Sequence, residues 1–141
     1  MKSGQGIETK ADDTCYDGEF KNNYLSKGTV QYNDYTSYEG NLFKRKRHGE
    51  GKFTDYDGTT YEGQFINDNF KKGTVNYAEG SVYEGDFYLG KKHGKKGKLT
   101  TLDDEIFEGV FMNDEFYHGT VKYTDGSVYE GSYRKDRWKD G

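Results

Sequence analysis

The chain has 141 residues, a length that fits one ordinary domain, and 33% of them are charged against 30% that are hydrophobic. Its mean hydropathy of −1.19 is typical of disordered chains, but the aromatic content of 17% and the 20 regularly placed glycines exclude that class, because disordered segments are poor in aromatic residues. The net charge of −4, the single cysteine and the lack of a long apolar run predict a cytoplasmic protein with no transmembrane span, no internal disulfide and no nucleic-acid partner.

A five-residue motif recurs along the chain: an aromatic residue, an acid, a glycine, any residue and an aromatic or aliphatic residue. Its six copies, 22 to 24 residues apart, begin at Tyr16, Tyr38, Tyr61, Tyr83, Phe107 and Tyr129. A fixed period of this length indicates a stacked array of supersecondary units. We therefore predict an N-terminal half-repeat over residues 1–15 and six repeats over residues 16–141, which form one continuous repeat domain.

Each repeat contains two segments with the two-residue period of a half-buried strand. In the third repeat, Tyr61, Gly63 and Phe65 share one face of the first segment. Turn-forming pairs separate the segments: Asn22-Asn23, Asn67-Asp68, Asn113-Asp114, Asp57-Gly58, Glu79-Gly80 and Asp125-Gly126. No segment has the apolar period of a helix. The predicted fold is all-β, an elongated and twisted antiparallel meander of about twelve strands, whose glycines leave room for neighbouring rings.

The repeats resemble a known family, as three stretches of the chain show. These are Tyr61-Glu62-Gly63-Gln64-Phe65, His48-Gly49-Glu50-Gly51-Lys52-Phe53 and Asp57-Gly58-Thr59-Thr60-Tyr61. They resemble the MORN repeat (membrane occupation and recognition nexus), and the resemblance covers nearly the whole chain. It implies an elongated sheet with an aromatic-lined groove. It also implies a non-enzymatic role in tethering, scaffolding or partner binding, at cytoskeletal or membrane-associated structures.

The aromatic face of the predicted sheet is the first candidate binding surface. A single sheet has no second layer to cover this face, so we expect part of it to stay exposed, and exposed apolar patches mark interaction sites. The predicted partner is a helix, an extended peptide or a second copy of the chain. The predicted partner-binding residues are Tyr61, Phe65, Tyr77, Tyr83, Phe87, Phe107 and Phe111.

Basic loops in the second, fourth and sixth repeats are the second candidate surface. Their predicted anion- or lipid-binding residues are Lys44, Arg45, Lys46, Arg47, Lys91, Lys92, Lys95, Lys96, Arg134, Lys135 and Arg137. All these loops fall on one edge of the predicted meander, where they suit anionic lipid, acidic protein tails or nucleic acid. Solubilising charge that protects hairpin tips explains the same pattern, so both interpretations stay open.

No catalytic, cofactor-binding or metal-binding constellation is predicted. His48 and His93 occupy equivalent repeat positions that are too far apart to share a zinc ion, and Cys15 has no recognisable base partner. The motif acids lie on the polar face, where we expect each to face Lys or Thr across strands. The predicted function is a non-enzymatic scaffold that binds a partner segment or self-associates through the aromatic groove. The alternatives are a lipid-binding basic edge and an accessory targeting domain of a larger enzyme.

Overall fold

The structure is a computed structural model that describes residues 3–133. These residues form an all-β fold of antiparallel strands without a helix, which confirms the predicted fold class. The strands are β1 (Gly4–Thr9), β2 (Cys15–Lys21), β3 (Tyr24–Gln31), β4 (Ser37–Phe43), β5 (Lys46–Thr54), β6 (Thr60–Ile66), β7 (Asn69–Asn76), β8 (Val82–Tyr88), β9 (Lys91–Lys92), β10 (Gly94–Thr100), β11 (Ile106–Met112), β12 (Glu115–Lys122) and β13 (Val128–Ser132). None of the described residues belongs to a helix that could cross a membrane.

Two compact units divide the chain, Met1–Lys71 and Lys72–Gly141. In the first unit, β1 to β6 form a meander in which each strand pairs with the next along the chain. In the second unit, β7 pairs with β8 and β8 with β10, and pairing then follows chain order to β13. The short β9 pairs with the end of β8. Within each unit, the two strands of a repeat therefore lie beside those of its sequence neighbours.

Glycines form a row across the strands of each unit, because every strand of the meander contributes one at the same register. In the first unit the paired glycines are Gly6, Gly18, Gly28, Gly40, Gly51 and Gly63. A Cβ on Gly51 would overlap the ring and hydroxyl of Tyr38, and a Cβ on Gly97 would lie 2.6 Å from Cδ1 of Phe111. This confirms the prediction that the glycines leave room for neighbouring rings.

The motif acids face Lys or Thr across the strands, as predicted. In the first unit, Glu39 lies opposite Thr29 on one side and Lys52 on the other. In the second unit, Lys98 lies between Glu84 and Glu108. These rows run along the polar face, so the acid of the motif serves cross-strand pairing and sheet solvation.

The core of each unit consists of the rings and aliphatic residues of the opposite face. In the first unit the buried core residues are Tyr16, Phe20, Leu25, Val30, Tyr38, Leu42 and Phe65. In the second unit the buried hydrophobic residues are Val75, Tyr83, Phe87, Phe111, Phe116 and Val121. The motif aromatic of the second and fourth repeats is thus among the most buried side chains of its unit.

Candidate interaction surfaces

The predicted partner-binding rings divide into two groups. Phe65, Tyr83, Phe87 and Phe111 keep at most 6% of their surface exposed, so they belong to the cores of their units. Tyr61, Tyr77 and Phe107 are half-buried. A partner approaching the aromatic face would therefore meet the half-buried rings and not the four core rings. The binding role of all seven stays a prediction.

The buried rings of Tyr38 and Tyr83 are held in place by hydrogen bonds from their hydroxyl groups. The Tyr38 hydroxyl donates a hydrogen bond of 2.6 Å to the carbonyl oxygen of Asn41, and the Tyr83 hydroxyl donates one of 3.0 Å to that of Asp86. Each ring therefore lies along its own strand over the motif glycine. Burial raises the pKa of both phenols to about 12, so they stay neutral donors at ordinary pH.

Two of the predicted anion-binding residues lie over half-buried rings. The guanidinium of Arg47 is 4.4 Å from the ring centroid of Phe53, and its Nε lies 3.4 Å from Oδ1 of Asp68. The ammonium of Lys92 is 5.2 Å from the ring centroid of Tyr77 and 3.8 Å from Oδ1 of Asp114. Both cations contact a ring and a carboxylate, so they point inward from the loop. Their anion-binding role stays a prediction.

The repeat explains this inward placement. Leu25, Phe70 and Phe116 stand nine residues after the motif aromatic of the first, third and fifth repeats, and Arg47 and Lys92 hold that position in the second and fourth. Leu25 and Phe116 are buried and Phe70 is packed against the core. The position is therefore a core position in which apolar and cationic side chains alternate, and long cationic stems can cover rings while their charged ends reach an acid.

A row of half-buried rings lines the first unit. We name Tyr32, Phe53, Tyr61 and Phe70 the aromatic row, because each packs against the core while part of its surface stays exposed. The ring centroids of Tyr32 and Phe53 are 6.4 Å apart, those of Phe53 and Tyr61 6.1 Å, and those of Tyr61 and Phe70 5.5 Å. These distances suit edge-to-face contacts, so the row is a continuous apolar strip.

Aromatic and lysine side chains face each other across three of the turns within repeats. The register pairs are Lys21 with Tyr24, Phe43 with Lys46, and Tyr88 with Lys91, and we name them the turn pairs. Their rings are exposed, Phe43 by 57% and Tyr88 by 55%. Cross-strand partners share a face of the sheet, so each turn presents a ring beside an ammonium group.

The turns of the second and fourth repeats are held in an unfavourable backbone conformation. Lys44 and Arg45 have φ values of 47° and 71°, and Leu89 has φ of 50°. The same turn positions hold Asn22, Asn67 and Asn113 elsewhere. Asparagine tolerates positive φ in such two-residue turns, whereas lysine and leucine do so at a cost. Backbone strain of this kind is typical of functional positions.

The other predicted basic residues differ in exposure. Arg45 lies 5.5 Å from the ring centroid of Tyr24 and 4.0 Å from Oε1 of Glu8. The exposed ones are Lys44, Lys46, Lys91, Lys95 and Lys96. Within residues 3–133 none of these five lysines makes an ion pair. Arg134, Lys135 and Arg137 lie outside the described residues.

His48 and His93 pack against the turns and against the exposed rings. The ring centroid of His48 is 5.9 Å from that of Phe43, and that of His93 is 5.7 Å from that of Tyr88. His48 Nδ1 accepts a hydrogen bond of 3.2 Å from the backbone N–H of Asn67. Across the described part of the chain, no three His, Cys, Asp or Glu side chains are grouped closely enough to hold a metal ion.

The family comparison agrees with this repeat geometry. The family model described as MORN repeat matches residues 16–37, 38–60 and 83–95. The chain contains MORN repeats. MORN repeats are non-enzymatic modules that interact with proteins or membranes. A comparison with curated proteins finds no match.

The MORN matches bear on the number of repeats. They cover the first and second repeats and the beginning of the fourth, and the last match ends at Lys95. The repeats that begin at Tyr61, Phe107 and Tyr129 have the same motif and the same glycine register, but they lie outside the matched ranges. The count of six MORN repeats therefore stays a prediction.

Proposed function

We propose that this MORN-repeat chain is a non-enzymatic interaction module that binds anionic membrane surfaces through its turn pairs. The observation that supports this proposal best is the exposed ring beside a lysine at the turns of the first, second and fourth repeats, where the lysine makes no ion pair within residues 3–133. Rings with polar surroundings insert at the headgroup level, and lysines beside them attract anionic lipid. The inner leaflet of the plasma membrane supplies such lipid to a cytoplasmic protein.

The turn residues add to the apolar and basic character of this edge. Leu89 is 74% exposed, and the ammonium of Lys44 lies 5.5 Å from the ring centroid of Phe43. Both stand where asparagine would form the turn with less strain. A leucine at an exposed, strained position contributes nothing to the core, and contact with a membrane gives it a role. Because the chain as a whole has a net charge of −4, an anionic membrane would repel most of its surface. We therefore expect binding only at these basic turns.

The expected result of removing the turn lysines is a loss of vesicle binding. The variant Lys44→Asn/Lys46→Ser/Lys91→Ser should bind phosphatidylserine vesicles at least about tenfold more weakly, because each lysine near an anionic surface contributes about 1 kcal/mol. Co-sedimentation at low and high salt measures this loss. Asparagine suits the turn, so thermal unfolding of the variant should occur at the same temperature or above it. If the unfolding temperature does not fall, a loss of binding cannot result from unfolding of the variant.

A charge-matched control distinguishes binding by the turn lysines from a general effect of the protein's net charge. Lys27→Ser/Lys52→Ser/Lys72→Ser removes three exposed lysines that lie away from the turns, and it should bind vesicles within about twofold of the original protein. Equal losses in both variants, or no pelleting of the original protein at low salt, would rule out a membrane role for the turn pairs. Phosphoinositide vesicles in a parallel series report headgroup preference.

A partner segment on the aromatic row is a second candidate function. The row exposes part of four adjacent rings in the first unit, and strips of this kind bind apolar side chains of a helix or an extended peptide. Tyr61→Ser should abolish binding of peptides selected by display against the protein. Tyr56→Ser is the matched control, because Tyr56 is 78% exposed on a turn of the same unit. Selected peptides that bind both variants alike would contradict this function, and sedimentation velocity tests a second copy as the partner.

A further inference from the structure

A concave site opens on the polar face of the second unit, away from the turn pairs. Its volume is about 640 Å³, within the range of ligand-binding clefts. Its lining residues are Glu84, Gly85, Lys95, Lys96, Gly97, Lys98, Glu108, Gly109, Thr120 and Lys122. Four lysines and two glutamates therefore surround a floor of glycine backbone, and the site carries a net charge of about +2 at neutral pH.

A β-bulge builds this site. The pairing of β10 with β11 shifts its register between Gly94 and Gly97, and Lys95 and Lys96 lie in the shift. The equivalent stretch of the second repeat has one residue fewer and reads Gly49-Glu50-Gly51. There Gly49 and Gly51 pair with β6 without a shift, and Glu50 accepts a hydrogen bond from the side chain of Gln64. The fourth repeat thus has two lysines where the second repeat has one hydrogen-bonded glutamate. Bulges of this kind often mark functional positions.

The lysines of the site make no salt bridge with any of the described residues. Within residues 3–133, none of Lys95, Lys96, Lys98 and Lys122 lies within ion-pair distance of a carboxylate. Lys122 stands where the first and third repeats have Gln31 and Asn76. The site is therefore a local concentration of ammonium groups outside salt-bridge distance, although Lys98 stands opposite Glu84 and Glu108 in the register. No equivalent set of lysines occurs at these positions in the earlier repeats.

We propose that this site binds an acidic peptide segment in extended conformation. Lys98 stands between Glu84 and Glu108 in the register, so these carboxylates would repel a compact polyphosphate that needs adjacent cations. An extended peptide instead carries its acids roughly 7 Å apart on one face. Lys98 and Lys122 lie on strands separated by β11, roughly 10 Å apart. Alternating acids can therefore reach separate lysines, while intervening polar residues face the glutamates and the Thr120 hydroxyl.

The glycine floor favours the same occupant. At Gly85, Gly97 and Gly109 the polar face presents backbone atoms, because a side chain at these positions would point to the aromatic face. A peptide backbone can therefore lie close to the sheet between the lysine stems. Lys95 and Lys96 are exposed and Lys98 is half-buried, so the ammonium groups lie at different depths. A flat vesicle surface would reach the exposed lysines first, whereas a narrow chain can reach all of them.

A labelled peptide of alternating Glu and Ser tests the proposal by fluorescence anisotropy. The full chain should bind it saturably at low salt, and Lys95→Ser/Lys96→Ser should weaken the binding about tenfold because two charge-assisted contacts are lost. Deleting Lys96 together with Lys95→Glu recreates the Gly-Glu-Gly sequence of the second repeat and should weaken it at least as much. The control Lys27→Ser/Lys52→Ser removes the same number of charges in the first unit and should change affinity less than twofold.

The remaining measurements identify the site and the ligand class. Amide chemical shifts on peptide addition should change at Gly97 and Gly109, with the Gly40 and Gly51 signals unchanged. Inositol hexakisphosphate and phosphatidylserine vesicles serve as competitors and should displace the peptide poorly. Tighter binding of either competitor to this site, equal weakening in the control variant, or no saturable peptide binding would each overturn the proposal.

Discussion

Gly28→Ala is expected to unfold the first unit or bring it close to unfolding. Gly28 has φ of 154°, which side-chain-bearing residues rarely adopt, and a Cβ there would overlap the carbonyl oxygen of Asp17 and lie 2.9 Å from Cα of Gly18. Both obstacles are backbone atoms of the paired strand, so no side-chain movement relieves the overlap. Strain and overpacking together should cost about 3–5 kcal/mol, a large part of the stability of an ordinary domain.

Urea unfolding followed by circular dichroism measures this cost. The matched control is Gly58→Ala: Gly58 also has a positive φ, of 96°, but a Cβ there meets nothing within 4 Å. This change should cost only about 1–2 kcal/mol, the penalty for the backbone conformation alone. If the two variants lose stability equally, close approach of the strands is not what requires glycine at this register.

Tyr83→Ala is expected to destabilise the second unit by about 3–5 kcal/mol, the usual cost of deleting a buried ring. Tyr83 is fully buried, and its ring centroid lies 5.2 Å from those of Phe87 and Phe111 in edge-to-face contacts. The alanine leaves a cavity over the glycine row that these two rings cannot fill. Tyr83→Phe keeps the ring and loses only the hydrogen bond to Asp86, so it should cost about 1 kcal/mol.

Tyr117→Ala is the control for the Tyr83 variants, because Tyr117 belongs to the same unit and is 53% exposed. Its stability should stay within about 0.5 kcal/mol of the original protein. Thermal and urea unfolding of the three variants give the order Tyr83→Ala, Tyr83→Phe, Tyr117→Ala from most to least destabilised. A Tyr83→Ala variant as stable as Tyr117→Ala would contradict the core position of the ring.

The deep rings and the rings at the turns differ in burial. The deep rings, such as Tyr38 and Tyr83, are buried in the cores of their units, whereas Phe43 and Tyr88 keep 57% and 55% of their surface exposed. Substitutions at the deep rings therefore change stability first and binding only as a consequence. The turn pairs and the lysines at the bulge allow binding to be tested in proteins that keep their fold.

The placement of two charged residues differs between the sequence pattern and the structure. Arg47 and Lys92 belong to basic runs in the sequence, yet each lies over rings and beside an acid. Alignment of the repeats contains the signal for this placement, because Leu25 and Phe70 hold the same position in other repeats. A run of like charges does not reveal it, because flexible side chains with the same charge can point in opposite directions.

The sequence by itself determined the period, the strands, the turns and the register of the motif acids. These features are local: a two-residue alternation and a turn-forming pair specify which face each residue of a strand occupies. Only the tertiary structure decided how deep each ring lies, as with Phe65 and Tyr61, and where free lysines gather, as at the Lys95-Lys96 bulge. Depth and clustering depend on contacts between strands, and the two-residue period carries no information about them.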